Sequence, residues 1–252
     1  MPILLLILRL PVLILHILIG LFTIIFFPKE TRYFKHIHYS IMMLWMRFLS
    51  FILGIKVDIR GTPDLSADLY VSNHVTYLDI IIINKLLPVN FIAKEAISSW
   101  PIIGVLASKT GTLFIKRGDN VESTKMIHEM EERFKIKNKI VFFPEGKIGN
   151  GIRVKKFHYK LFKSIENKDL SIQPIAIRYP RDYPQDNNYS EMISNKSEKG
   201  EMISLYLKFL MRRKSHVILL FLDKVSTRDC ENETVANVLA DKINDALDNL
   251  NS

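Results

Sequence analysis

Apolar residues dominate the start of the chain. From Leu10 to Phe27 there are 18 consecutive uncharged positions, nearly all Leu, Ile, Val or Phe, and another apolar run broken only by Arg9 precedes them. That length is enough to cross a bilayer. The run exceeds the apolar part of a cleaved signal peptide and ends in FFPKE rather than at a small-residue cleavage site, so an anchor is expected. Pro11 and Gly20 are positions where the helix can bend or break into a re-entrant or interfacial segment. A second segment, residues 41–55, is apolar except for Arg47 and reads as a helix lying on a membrane surface.

Beyond residue 54 the pattern changes to short apolar runs bounded by turn residues. Strands are expected at 55–60, 68–72, 90–93, 112–116, 139–143, 171–178 and 216–222. Between them, residues 119–134 repeat apolar positions at Ile127, Met130 and Phe134, which predicts a helix with Asp119 as its cap. Residues 178–201 are polar and interrupted by proline, as in a long loop. Strands interleaved with helices predict an α/β fold: a mixed, largely buried sheet flanked by helices, preceded by an N-terminal membrane helix or helix pair. The expected division is a membrane-attachment unit at 1–53 and an α/β domain at 54–252.

Composition narrows the classes. With 48% hydrophobic and 24% charged residues the chain is globular rather than disordered. Cys230 is the single cysteine, which excludes an intrachain disulfide and a thiolate metal cluster. Residues 229–252 hold six acidic residues and one lysine and so contribute −5 to a net charge of +9, leaving +14 on the rest. A basic body beside an apolar N-terminus suits an anionic membrane surface or phosphate-bearing substrates. Nucleic acid is not an expected partner, since no nucleic-acid motif accompanies the charge. Lys29, Arg32 and Lys35 follow the apolar run, which places the remaining chain on the cytoplasmic side, at a bacterial inner membrane or its equivalent.

Candidate chemistry sits in LYVSNHVTYLDIIII, residues 69–83, where Asn73, His74 and Asp79 interrupt apolar runs. A carboxylate bonded to one ring nitrogen of a histidine fixes its tautomer and lets the other nitrogen take a proton. On one ideal helix, positions five apart point about 140° away from each other. The two can meet only if a strand ends near Ser72, His74 lies in the loop and a helix starts near Tyr77. Three further blocks follow: Gly111, Phe114, Ile115 and Arg117 around a strand that delivers an arginine, a phosphate or carboxylate clamp; Pro144, Glu145 and Gly146 after a buried strand; and Gln173 to Ile177, containing Pro174.

In this order the blocks resemble those of the 1-acyl-sn-glycerol-3-phosphate acyltransferase (PlsC-like) family over roughly residues 54–178. His74 and Asp79 match its NHxxxxD motif and Pro144–Gly146 its FPEG motif, while Lys94, Glu95, Pro101 and Gly104 resemble the intervening spacing. The resemblance implies a membrane-bound O-acyltransferase of phospholipid biosynthesis. It would move a fatty acyl group from acyl-CoA or acyl carrier protein, a co-substrate rather than a cofactor, to a lyso-lipid hydroxyl. The best-fitting acceptor is 1-acyl-sn-glycerol-3-phosphate, giving phosphatidic acid. His74 would be the general base and Asp79 its orienting partner; Arg117 and the Glu145–Gly146 turn would bind the acceptor, with Gly111, Phe114, Ile115, Lys147 and Pro174 also lining the substrate site. No metal is implied. The sequence departs from the family after Gly146, where Lys147, Ile148 and Gly149 replace the common Thr-Arg-Ser, and the identity of the acceptor is the point this touches.

Rival readings are a different lyso-lipid acceptor, hydrolysis of the thioester by the same base acting on water, or an inactive lipid-binding membrane scaffold. His36 and His38 would face one way on a strand and offer two metal ligands, although a membrane-interface position suits them better. His128 and His158 read as structural or solvated. Trp100 reads equally as an interface anchor or a wall of a substrate tunnel.

Overall fold

A computed structural model of the chain describes residues 2–26, 35–116, 120–165, 168–180, 199–227 and 232–251. Arg117, Asp119, Cys230 and two of the three flanking basic residues, Lys29 and Arg32, lie outside these. In chain order the elements are α1 (Pro2–Phe26), α2 (Lys35–Ile52), β1 (Ile55–Arg60), β2 (Leu69–Ser72), α3 (Leu78–Asn84), β3 (Asn90–Lys94), α4 (Ile103–Lys109), β4 (Leu113–Ile115), α5 (Asn120–Lys135), β5 (Ile140–Phe142), β6 (Ser171–Arg178), α6 (Lys199–Met211), β7 (Ser215–Phe221), β8 (Val225–Ser226) and α7 (Asn232–Asn251). All seven expected strands form; the two-residue β8 is an addition. Within the expected 178–201 loop, residues 181–198 fall outside the described part and α6 begins at Lys199.

The strands make one mixed sheet in the order β1-β7-β6-β2-β5-β3-β4, with β8 beside β6. β2, β3, β4, β5 and β6 run parallel to their neighbours, whereas β6 meets β7 and β8 antiparallel. Five carboxyl ends therefore collect along one edge, where α/β folds bind ligands. β2 sits centrally and is buried at all four residues, as a strand covered on both faces must be. Its side chains alternate between two cores: Tyr70 joins Leu53, Leu78, Phe209 and Leu210, while Leu69 and Val71 join Met126, Met130, Phe162 and Leu239. β1 closes one edge with Lys56, Asp58 and Arg60, charges that discourage further pairing.

Pro174, which a sequence reading would put on an edge strand, lies inside the sheet opposite Val71 of β2. It is tolerated because β6 changes partners there, from β8 at Ile172 to β7 at Ile175. No ladder bond on that side needs its missing N–H, and its carbonyl accepts Leu222 N–H at 3.0 Å.

α1 runs unbroken through Pro11 and Gly20. Gly20 serves a close approach rather than a break: a Cβ there would lie 3.0 Å from the Trp45 indole of α2. Beside that contact the His16 ring stacks on Trp45 with centroids 4.5 Å apart. Arg9, which looks like a flaw in the apolar run, donates to the carbonyls of Leu210, Arg212 and Arg213 at the end of α6. Arg47 does the same for Lys85 at the end of α3, at 3.0 Å. Both guanidiniums satisfy helix-end carbonyls that lack intrahelical partners.

α2 starts six residues before the expected segment and carries His36 and His38. The strand reading of that pair fails because helical spacing turns positions i and i+2 apart: His36 is exposed and His38 buried. Leu13, Leu49 and Ile52 share a core with Tyr70 and Leu78, so the two N-terminal helices pack into the α/β body. The expected 53/54 boundary falls between α2 and β1. Their outer surface stays apolar: Ile7, Leu15, Phe22 and Phe26 on α1 and Ile37, Ile41, Leu44, Phe48 and Phe51 on α2 are exposed. α1 is long and apolar enough to cross a membrane.

Candidate active site

His74 follows β2 by two residues, and α3 begins at Leu78 with Tyr77 as its cap. The loop between lets Asp79, in the first turn of α3, fold back on the segment before it. Its Oδ2 accepts the amides of Val75 at 2.6 Å and Thr76 at 3.0 Å, and meets His74 Nδ1 at 2.8 Å. Its Oδ1 accepts the Tyr179 hydroxyl at 2.8 Å. All four contacts require Asp79 to accept, so the imidazole proton is assigned to Nδ1 and Nε2 is left as the basic nitrogen. Asp79 is fully buried and the His74 side chain is 15% exposed, so the base alone faces outward.

Three groups fix the imidazole beyond Asp79. The Phe143 ring at the end of β5 stacks on it, with centroids 4.1 Å apart and planes 13° from parallel. Glu145 Oε1 accepts the His74 amide at 3.2 Å, and Gly149 N–H donates to the His74 carbonyl at 2.7 Å. Asn73 grips β6: its amide donates to the Ile177 carbonyl at 2.9 Å and its oxygen accepts the Ile177 N–H at 2.8 Å. It continues the β2–β6 ladder with a side chain where the backbone has turned away.

Glu145 is buried and holds the backbone of the base. Burial pushes its carboxyl pKa up, partly offset by the His74 amide. The raised value means that the folded chain holds this proton more tightly than the unfolded one. Stability should therefore decline as pH rises from the ordinary glutamate range, about pH 4, through the folded value. Glu145→Gln removes that dependence while keeping an acceptor for His74. Its melting temperature should gain on the native one as pH rises and then level off; a difference that does not vary with pH would contradict this.

Gly149, at the departure from the family pattern, is where a serine would be tight: a Cβ there would stand 3.0 Å from Glu145 Oε2. Lys147 is exposed beside it and Ile148 half-buried. Gly146 has φ +67°, a conformation that favours glycine, and turns the chain so that His158 N–H reaches the Pro144 carbonyl at 2.9 Å. Gly111, with φ +83°, ends α4 and leads into β4. Phe114 is half-buried on β4 and Ile115 is buried, pointing with Ile92 into the second core. Arg117 follows Ile115 by two residues and lies outside the described residues. Pro174 lines neither of the cavities described below.

Tyr179, Phe143 and Asn73 were not assigned site roles from sequence. Tyr179 is the residue after β6 and carries no signal in the sequence; the pairing of β6 with β2 brings it to Asp79. Gln173, in the fourth block, is structural: it accepts the Asp64 amide and donates to the Thr62 and Leu222 carbonyls. Gly104 has a similar purpose, since a Cβ there would come within 2.1 Å of the Ser98 carbonyl oxygen.

Two cavities lie on opposite faces of the sheet. The first, about 220 Å³, lies among α1, α2, α3, α4 and β3 and is lined mainly by apolar groups including Trp45, Leu49, Tyr77, Ile80, Phe91 and Trp100. Trp100 is thus a cavity wall, with its ring 6.1 Å from Tyr77. The second, about 330 Å³, opens on the other face of the sheet. Phe143 connects them, lining the second and stacking at 5.9 Å on Phe91, which lines the first.

Residues 56–178 match the family model described as Acyltransferase. The chain is 35% identical over 138 residues to a lyso-ornithine lipid O-acyltransferase of Pseudomonas aeruginosa, covering 55% of this chain and 53% of that protein. Over 127 residues it is 29% identical to a 1-acyl-sn-glycerol-3-phosphate acyltransferase of Neisseria gonorrhoeae, covering 50% of each. The chain spans about half the length of the curated relatives it matches. The fold is that of the crystal structure of the 1-acyl-sn-glycerophosphate acyltransferase PlsC from Thermotoga maritima, with a TM-score of 0.69 over 99% of this chain and 96% of that one at 16% identity. The motif-bearing part of the chain, residues 56–178, is the part that matches the acyltransferase family model.

Proposed function

We propose that the chain transfers a fatty acyl group from an acyl thioester to the hydroxyl of a lyso-lipid at a membrane surface. The observation that carries this is the His74–Asp79 pair, held at 2.8 Å at the carboxyl edge of the parallel strands, with Phe143 stacked between it and Phe91 in the wall of an apolar cavity. His74 Nε2 takes the hydroxyl proton as the oxygen attacks the thioester carbonyl. The C–S bond then breaks, and the thiolate leaves with the proton returned by the imidazolium. Asp79 stabilises the imidazolium through Nδ1–H. The apolar cavity suits a fatty chain, and burying that chain there keeps its reactive end placed.

The acceptor we favour is lyso-ornithine lipid. The relatives that bear that name reach 35% identity. An ornithine headgroup offers an amine and a carboxylate rather than a phosphate, which agrees with the loss of the Thr-Arg pair at Lys147 and Ile148. The alternative, 1-acyl-sn-glycerol-3-phosphate, is supported by relatives named for it at 29% to 31% identity. Incubating the purified full chain with labelled acyl-CoA and each lyso-lipid, then identifying products by mass spectrometry, separates these. Acyl release without an acceptor would indicate hydrolysis instead, and no turnover of any kind would leave a lipid-binding scaffold.

The exposed apolar faces of α1 and α2 support membrane attachment, and the basic residues after α1 favour a cytoplasmic catalytic domain. The protein should stay with membranes through high-salt and alkaline washes. Release by salt alone would reduce the attachment to surface electrostatics.

A further inference from the structure

The second cavity has no role in the reaction as described so far. It lies between β3, β4 and β5 on one side and α5 and residues 158–161 on the other, lined by Ile92, Ile115, Ser123, Phe143, Gly146 and His158 among others. Alternation along β3 puts it on the opposite face of the sheet from the apolar cavity: Phe91 and Ala93 point to one, Ile92 to the other. The exposed apolar surface of α1 and α2, with Ile203 and Leu207 of α6, belongs to the first face. The second cavity thus opens away from the surface that suits lipid.

Its rim is basic. Lys155, Lys156, His158, Lys160 and Lys163 make five of nine successive positions with no acidic residue among them. The four lysines and His158 are exposed, and Lys147 and Lys116 are exposed nearby in sequence to Gly146 and Ile115. On the facing helix Glu122 is paired with Lys125 at 2.6 Å, and Asn120 accepts Lys160 Nζ at 2.8 Å. Asn244 of α7 anchors the start of this segment, accepting the Val154 amide at 2.8 Å. An apolar slot with a positive mouth fits a slender arm ending in phosphate.

We infer that this cavity takes the 4′-phosphopantetheine arm of the acyl donor, with the phosphate at the lysine-rich mouth and the thioester delivered past Phe143 to His74. A lyso-lipid stays anchored by its chain and approaches from the apolar face. The donor's carrier, coenzyme A or acyl carrier protein, is water-soluble and approaches from the other. The sheet edge at His74 is where the two routes meet. This assignment rests on the acyltransferase reading.

The test compares the native chain with Ser123→Phe, which fills the slot, and with Lys160→Glu, which reverses charge at an exposed lining residue without touching the core. Steady-state KM is measured for acyl-CoA, acyl carrier protein thioester, a truncated S-acyl-N-acetylcysteamine thioester and the lyso-lipid. Binding of free coenzyme A is measured separately by calorimetry. Both variants should raise KM for the phosphopantetheine donors at least about tenfold more than for the truncated thioester or the lyso-lipid, and both should weaken coenzyme A binding. A rise confined to the lyso-lipid would make the cavity a headgroup site and overturn the assignment, as would unchanged values throughout. Coenzyme A binding that is lost in the variants of a chain with no acyl transfer would sink the acyltransferase reading and keep the arm site. Normal transfer with unaltered donor constants would do the reverse.

Discussion

His74→Ala is expected to lower kcat by about 10²- to 10⁴-fold, the usual contribution of a positioned general base, or roughly 3 to 5 kcal/mol of barrier. A neutral alcohol attacks a thioester slowly, and within the site the Nε2 of His74 is the group poised to take its proton. Glu145, the nearest carboxyl to the His74 backbone, is buried and already holds the His74 amide. The substitution removes a ring that packs on Phe143 but leaves the loop's backbone bonds to Glu145, Gly149 and Asp79 in place. Folding and membrane attachment should therefore change little. Rates are read with labelled acyl thioester, and folding by circular dichroism and thermal melting. Near-native turnover in a folded variant would leave the His74–Asp79 pair a structural feature of the loop, and the proposed general-base mechanism would fall.

Asp79→Asn tests the second half of the pair. An asparagine can present its oxygen at the Oδ2 position, where it still accepts from Val75, Thr76 and His74. Its amide then faces the Tyr179 hydroxyl, which can rotate to accept. The shape survives in that orientation, but the negative charge opposite the imidazolium does not; in the flipped orientation the tautomer is lost too. Turnover should fall by more than about tenfold, with the 10⁴-fold loss known for the equivalent change in serine protease triads as the upper bound. Because the two residues act as one unit, the double variant should be little slower than His74→Ala alone. Additive losses in the double variant would show that Asp79 serves something other than His74.

Much of the site was legible because its chemistry is local. The spacing of His74 and Asp79, the end of β2 at Ser72 and the start of α3 after Tyr77 were enough to bring imidazole and carboxylate together. The runs LYV and IVF, apolar at every position, read as strands covered on both faces, and the structure buries them so. The order of the four motif blocks carried the resemblance to acyltransferases.

What the sequence could not disclose depends on contacts between residues far apart in the chain. Tyr179 joins Asp79 across 100 positions, and Glu145 meets the amide of His74 across 71, only because β2 lies between β5 and β6. That strand order also set the Glu145 carboxyl against the His74 amide, and put Pro174 inside the sheet at a change of partners. Arg9 and Arg47 look like interruptions of apolar helices until the carbonyl ends of α6 and α3 are placed beside them. Hydrophobic periodicity fixes which residues leave water and in what kind of element. Which buried polar groups then become partners is decided by packing, since a hydrogen bond or an ion pair forms between neighbours in space and leaves no period in the sequence.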